Sequence, residues 1–234
     1  MSAWKEKSPF EAYPVALCLV GACGIIFIAT DAGLLDGRFS GLKAWGRAWL
    51  PGFATGELWR PLTAMFLHGG VIHVLVNGYA LMALCPSMEA RVGSARFAAI
   101  YFGAGISGSL CSMGWEHASV GASGAIFGIM GAYLRLARVE SGSFRGMARH
   151  PVGSQLLGWL ALNLVLGFTM PGISNAGHLG GLLGGWIVSA GVLPAGGGAA
   201  RGLILPVVSW PKIAAAAAFL LALAAVDLLV VAPR

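Results

Sequence analysis

The chain alternates apolar blocks of helical length with short polar connectors. Seven apolar runs approach or reach the roughly 20 residues that a bilayer-spanning helix needs. They are Pro14–Thr30, Leu62–Cys85, Phe97–Trp115, Ala122–Ala137, Val152–Met170, Ala176–Leu193 and Ile213–Ala232. The fourth is short, which places one of its ends below the membrane surface. The first is too long for a signal-peptide core and has no small-residue cleavage site behind it, so it reads as a retained span. The expected fold class is an all-α polytopic membrane protein. Residues 1–13 form an N-terminal segment, 14–193 a six-helix body, 194–211 a Gly- and Pro-punctuated linker, and 212–234 one additional C-terminal transmembrane helix.

Composition agrees with that plan and removes several function classes. Hydrophobic residues make up 57% of the 234 residues and charged ones 10%, against about a quarter charged in a soluble domain. Mean hydropathy is +0.79. So few charges leave no means of solvating a globular surface, which argues against a soluble enzyme or a disordered protein. The 15 Lys and Arg are scattered through connectors and form no basic face, so no nucleic-acid partner is expected. Cys18, Cys23, Cys85 and Cys111 all fall inside apolar runs, with neither a disulfide framework nor a spaced zinc site. No His-Glu-x-x-His sequence is present, and a metalloprotease or other metal site is not expected.

Orientation follows from the basic residues of the connectors. With the N-terminus in the cytoplasm, that side holds Lys5, Lys7, Arg91, Arg96, Arg135, Arg138, Arg145, Arg149, Arg201 and Lys212. The other side holds Arg38, Lys43, Arg47, Arg60 and Arg234, mostly in one loop. That loop, residues 31–61, carries Leu42, Trp45 and Trp49 at helical spacing. It suits either a helix lying in the membrane interface or an ordinary aromatic-belt loop.

Polar side chains inside spans mark function by default, because they are costly to leave there. They are His68, His73 and Asn77 in the second run, Ser107 in the third, Ser123 opening the fourth, Asn163 in the fifth, His178 in the sixth and Asp227 in the seventh. Runs two, four and six point the same way, so His68, His73, Ser123 and His178 share one leaflet, the outer one in this orientation. A serine gathered with histidines at one depth is the content of a nucleophile–base site.

Ser123 lies in Gly121-Ala-Ser-Gly124 at the start of a helix, where unpaired N–H groups and the dipole favour a developing oxyanion. Gly105-Ile-Ser-Gly108 repeats the pattern in mid-span, where small residues serve close helix packing, so position has to decide between the two serines. His178 sits among Gly177, Gly181 and Gly185, and Gly180 and Gly184, each set spaced by four. Such stripes admit another helix, and Gly124 and Gly128 offer the matching small face. If those faces meet, Ser123 and His178 come within hydrogen-bonding reach, about 3 Å. His73 and Asn77 are four apart on one helical face and both can donate to an oxyanion. His68 belongs on that side only if Gly69-Gly70 breaks the helix.

The ordered set Trp59-Arg60, His68-x4-His73-x3-Asn77, Glu89-Ala-Arg91, Gly121-Ala-Ser-Gly124 and His178-x2-Gly181 resembles the rhomboid family of intramembrane serine proteases. The resemblance covers residues 14–193 and implies a six-helix rhomboid-like bundle, with the seventh span an addition. It implies a dyad of nucleophile Ser123 and general base His178 with no acidic third member and no cofactor. It further implies an oxyanion hole of His73, Asn77 and the Ser123 N–H, with Asn175 and residues 171–177 at the mouth of the site. Trp59 and Arg60 would anchor the interfacial loop, and Glu89 and Arg91 would brace the connector after span two. Phe127 stands where members often carry a tyrosine against the histidine, and Gly177 where an alanine is usual. The implied activity is cleavage of transmembrane segments of other membrane proteins within the bilayer. The competing readings are a catalytically inactive rhomboid-like client binder and, from a different class, a transporter.

Overall fold

The structure, a computed structural model, describes residues 9–31, 44, 46–116, 118–169 and 172–193. Six long helices account for most of them: α1 (Pro14–Asp31), α2 (Val71–Val92), α3 (Ser94–Glu116), α4 (Ser123–Ser141), α5 (Pro151–Thr169) and α6 (Asn175–Val192). Three are both long and apolar enough to cross a membrane, α2, α5 and α3 over Ser94–Trp115, and α1 is a shorter apolar helix. The linker 194–211, the seventh run with Asp227, and residues 1–8 lie outside the described residues.

The helices sort by what they must face. α5 is only 11% buried and presents Trp159, Leu162, Val165 and Phe168 outward. α2 is likewise mostly outward-facing and exposes Ile72, Leu75 and Tyr79. The centre is α6, which packs most extensively against α3 and α4. Because α4 and the glycine-bearing faces of α6 meet protein instead of lipid, they can carry the glycine, serine, histidine and arginine that a lipid-facing surface could not. A methyl group at Gly181 would overlap the Gly124 backbone, one at Gly185 the Gly128 backbone, and one at Gly180 or Gly184 the Cys111 or Ser107 side chain of α3. The two glycine stripes of α6 therefore seat two different neighbours. On the other side of α3 and α4, Leu81, Met88, Phe97, Ile100, Tyr101 and Ile129 form the largest apolar core.

Three sequence expectations are corrected. The second span does not begin at Leu62: residues Arg60–Thr63 form a short helix and Ala64–Phe66 a 3-10 turn, Leu67 is extended (φ −88°, ψ 148°), and α2 starts only at Val71. Gly69 and Gly70 interrupt the helix, and α2 then runs on through Pro86 to Gly93, whose φ of 85° ends it. The fourth span is longer than expected, continuing to Ser141 and closing at Gly142 (φ 73°). In the 31–61 loop, residues 32–43 and 45 lie outside the described residues. Residues 44 and 46 are helical, but Trp49 is not on that helix. Ala48–Trp49 (β1) pairs antiparallel with Ala118–Ser119 (β2) in the α3–α4 connector. Pro51, in the first turn of the next short helix, Leu50–Ala54, offers no N–H to a helix arriving from upstream.

Candidate active site

The β1–β2 pairing holds the connector that leads into α4. Gly121 N–H donates to the Ala64 carbonyl at 2.9 Å, and Gly121 takes φ 129°, a conformation that favours glycine. The first backbone bond of α4 runs from Ile126 N–H to the Ala122 carbonyl, and no side chain caps the helix. The N–H groups of Ser123, Gly124 and Ala125 are thus without partners in the helix, and the positive end of its dipole sits beside the Ser123 hydroxyl.

His178 enters in the first turn of α6. The Ser174 hydroxyl accepts from Gly177 N–H at 2.8 Å and the Ser174 carbonyl from His178 N–H at 3.0 Å, which fixes where that turn begins. The Gly124–Gly181 and Gly128–Gly185 contacts bring α6 against α4. One turn earlier, His178 Nε2 stands 3.0 Å from Ser123 Oγ. The Phe127 ring lies parallel to the His178 ring, with centroids 4.0 Å apart and an 8° interplanar angle. His178 is 6% exposed, and its Nδ1 has no hydrogen-bond partner among the described residues.

His73 and Asn77 approach from α2. Gly69 N–H donates to His73 Nδ1 at 3.2 Å, so in the neutral ring Nε2 carries the proton and donates. That nitrogen would be 2.8 Å from a methyl group placed on Gly121, and Asn77 Nδ2 would be 3.7 Å from it. Two side-chain donors thus face the residue that precedes the α4 N-terminus, where the Ser123 N–H is also unsatisfied. His68 is completely buried behind His73, with ring centroids 5.1 Å apart in an edge-on arrangement. The Gly69-Gly70 break makes that possible.

A small cavity of about 30 Å³ opens beside Ser123, enough for water, and Ser109, Ser112, Ser119 and Ser174 are among the residues that line it. Sequence reasoning singled out none of these four. The available signal was the serines of α3 at mid-span, but only the fold separates a wall residue from a packing one. Ser107 is the packing kind: fully buried, it donates to the Gly180 carbonyl at 2.8 Å.

The remaining candidates are spread around the bundle. Asn175 donates to the Leu164 carbonyl at 3.2 Å and lies over Gly167, tying α5 to α6 one turn before His178. Arg60, buried in the 31–61 loop, contacts Glu57 at 2.6 Å, donates to the Ala44 and Arg47 carbonyls, and lies 5.2 Å from the Trp49 ring centre. Trp59 is 37% exposed. Glu89, 1% exposed, accepts from Val15 N–H at 3.0 Å, Ala16 N–H at 2.8 Å and the Ser94 hydroxyl at 2.6 Å. It therefore caps the N-terminus of α1 as well as bracing the connector after α2. Arg91 pairs with Glu140 at the end of α4. Asn163 donates to the Trp159 carbonyl in its own helix and stays away from the site. Among the described residues, no group of three or more His, Cys, Asp or Glu is arranged to hold a metal ion.

Residues 55–195 match a family model described as the rhomboid domain. The chain is 40% identical over 153 residues to the rhomboid protease GluP of Bacillus subtilis, an overlap of 64% of this chain and 29% of GluP. It is 34% identical over 141 residues to YdcA of the same organism, covering 59% of this chain and 69% of YdcA. RHOMBOID-like protein 5 of Arabidopsis thaliana is 35% identical over 137 residues, 57% of this chain and 43% of the plant protein. The chain thus spans less than a third of GluP and under half of the plant relative. The family match covers more than half of the present sequence and extends from before α2 to the end of α6: the chain is an integral, multi-pass membrane protein of the rhomboid family.

Proposed function

We propose that this protein is an intramembrane serine endopeptidase in which Ser123 is the nucleophile and His178 the general base. One observation carries the reading: the 3.0 Å contact between Ser123 Oγ and His178 Nε2 at a helix N-terminus with unsatisfied N–H groups. Ser123 attacks the scissile carbonyl while His178 takes its proton and later delivers it to the leaving amine. The oxyanion is held by the Ser123 N–H, His73 Nε2–H and Asn77 Nδ2–H. Water from the serine-walled cavity then hydrolyses the acyl-enzyme. Phe127 holds the imidazole parallel to its own ring by stacking, an orienting role that an acid at Nδ1 takes in a triad. The substrate is a transmembrane segment of another protein, locally unwound so that its peptide bonds leave their helical hydrogen bonds. In the orientation set by the connector charges, the site opens toward the outer side.

The test is labelling of the detergent-solubilised protein with a serine-directed fluorophosphonate. Wild type and Ser107→Ala are expected to label, and Ser123→Ala and His178→Ala to lose labelling while keeping their helical content. Cleavage of a reconstituted transmembrane segment should follow the same pattern. Well-folded wild type that neither labels nor cleaves would move the assignment to client binding without catalysis.

A further inference from the structure

The chemistry above uses the N-terminal ends of α2, α4 and α6. The opposite end of α4 holds positive charge that the described chain leaves uncompensated. Arg135 is 7% exposed, yet its Nη1 has no hydrogen-bond partner among the described residues, and the same holds for Nε of Arg138. Neither has an ion pair there. The nearby acid, Glu140, is engaged by Arg91 and lies 3.4 Å from His150. A guanidinium inside a helix bundle without a counter-charge is costly to keep.

The surroundings say what kind of anion reaches it. Gly131 abuts Leu182 and Trp186 of α6. Arg135 is one helical turn further on the same face of α4, and Arg138 follows three residues later. The Arg138 guanidinium lies 4.9 Å over the Phe144 ring, and Phe144 in turn stacks on Trp186, with centroids 6.1 Å apart at 12°. Phe144 is 63% exposed, and Arg145 and Arg149 of the same short helix, Phe144–Arg149, are exposed too. A tryptophan stacked on an exposed phenylalanine marks headgroup depth. Planar arginine donors match a phosphate group bidentately.

We propose that Arg135 and Arg138, beneath the Phe144–Trp186 shelf, bind the phosphate of an anionic phospholipid. Basic pockets between transmembrane helices at the membrane surface take such headgroups. The lipid supplies the counter-charge of α4 and clamps the connector to α6. This site does not depend on the protease assignment.

The test uses the full chain in nanodiscs of phosphatidylcholine with and without phosphatidylglycerol. Retained lipid is counted by native mass spectrometry after delipidation in high salt, where diffuse attraction is screened. Thermal unfolding is followed in parallel. Wild type should keep phosphatidylglycerol in preference to phosphatidylcholine and unfold at a higher temperature in its presence. Arg135→Gln and, separately, the more exposed Arg138→Gln should each cut that preference by at least about fivefold. Arg145→Gln removes the same charge from an exposed side chain and should leave the retained lipid unchanged. Equal retention by wild type and both variants would overturn the proposal. So would an equal loss of stability in both bilayers, which would place the counter-charge within the chain. Equal protection by inorganic phosphate in detergent would assign the site to a free anion instead and would also refute the lipid.

Discussion

Gly181→Ala tests whether close approach of α4 and α6 sets the geometry of the proposed dyad. A methyl group at Gly181 would stand 2.6 Å from the Gly124 carbonyl carbon and 2.9 Å from its Cα. Carbon atoms prefer about 3.5–4.0 Å, so relieving the carbonyl-carbon contact requires the helices to part by about 0.9–1.4 Å at that turn. The neighbour is backbone and cannot rotate away. Ser123 adjoins Gly124 and His178 is one turn before Gly181, so most of the displacement passes to the 3.0 Å contact. It stretches toward 4 Å, beyond a hydrogen bond. A misplacement near 1 Å costs about 100-fold in rate, and the overpacking itself about 1–3 kcal/mol in stability. The assay is the second-order rate of fluorophosphonate labelling, with thermal unfolding measured on the same preparations. Gly158→Ala in α5 is the control, because a methyl group there meets nothing within 4 Å and should leave labelling untouched. Wild-type labelling by Gly181→Ala, or an equal loss in Gly158→Ala, would refute the argument that the glycine stripe sets the dyad distance.

Three further outcomes follow from the same geometry. Phe127→Leu removes the ring stacked on His178, and the loss of about 0.5–1.5 kcal/mol should slow labelling about two- to tenfold with little change in unfolding temperature. Glu89→Gln turns one carboxylate oxygen into an amide NH2, so only one of the Val15 and Ala16 N–H groups keeps an acceptor, and a neutral one; this should lower stability by about 2 kcal/mol in a denaturant titration while labelling of the folded fraction stays intact. Ser107→Ala loses its bond to the Gly180 carbonyl, worth about 0.6 kcal/mol between membrane helices, and should retain nearly wild-type labelling; a dead Ser107→Ala protein would exchange the roles assigned to the two serines.

Local patterns were legible where a feature depends on one helix. The spacing of Gly177, Gly181 and Gly185 is a property of α6 alone, and the small face of α4 at Gly124 and Gly128 could be matched to it before any coordinates. The two Gly-x-Ser-Gly tetrapeptides are alike as local patterns, and only their positions, mid-span for Ser107 and at a helix start for Ser123, separated them. They differ in what the hydroxyl meets, a carbonyl of α6 for Ser107 and an imidazole for Ser123. Long-range backbone partners left no trace in the sequence. Glu89 accepts from residues 73 and 74 positions away, both through main-chain N–H groups, so no side-chain pattern announces the cap on α1. The strand at Trp49 was hidden for the same reason, since its partner is the backbone of Ala118 and Ser119. Gly69-Gly70 was recognisable as a possible break, but not its outcome, a start of α2 nine residues later than the apolar run begins.

The placement of the candidate dyad on α4 and α6 also has a consequence in time. Ser123 and His178 are 55 residues apart in the chain, and α6 is the last of the described helices to be made. At about 5–20 residues per second, the ribosome needs roughly 3–11 s after the serine before the histidine exists. During that interval the serine hydroxyl has no imidazole to meet. Under the proposed mechanism a newly made chain is inert toward neighbouring nascent spans until α6 docks. Docking of α6 and arming of the proposed nucleophile are the same event.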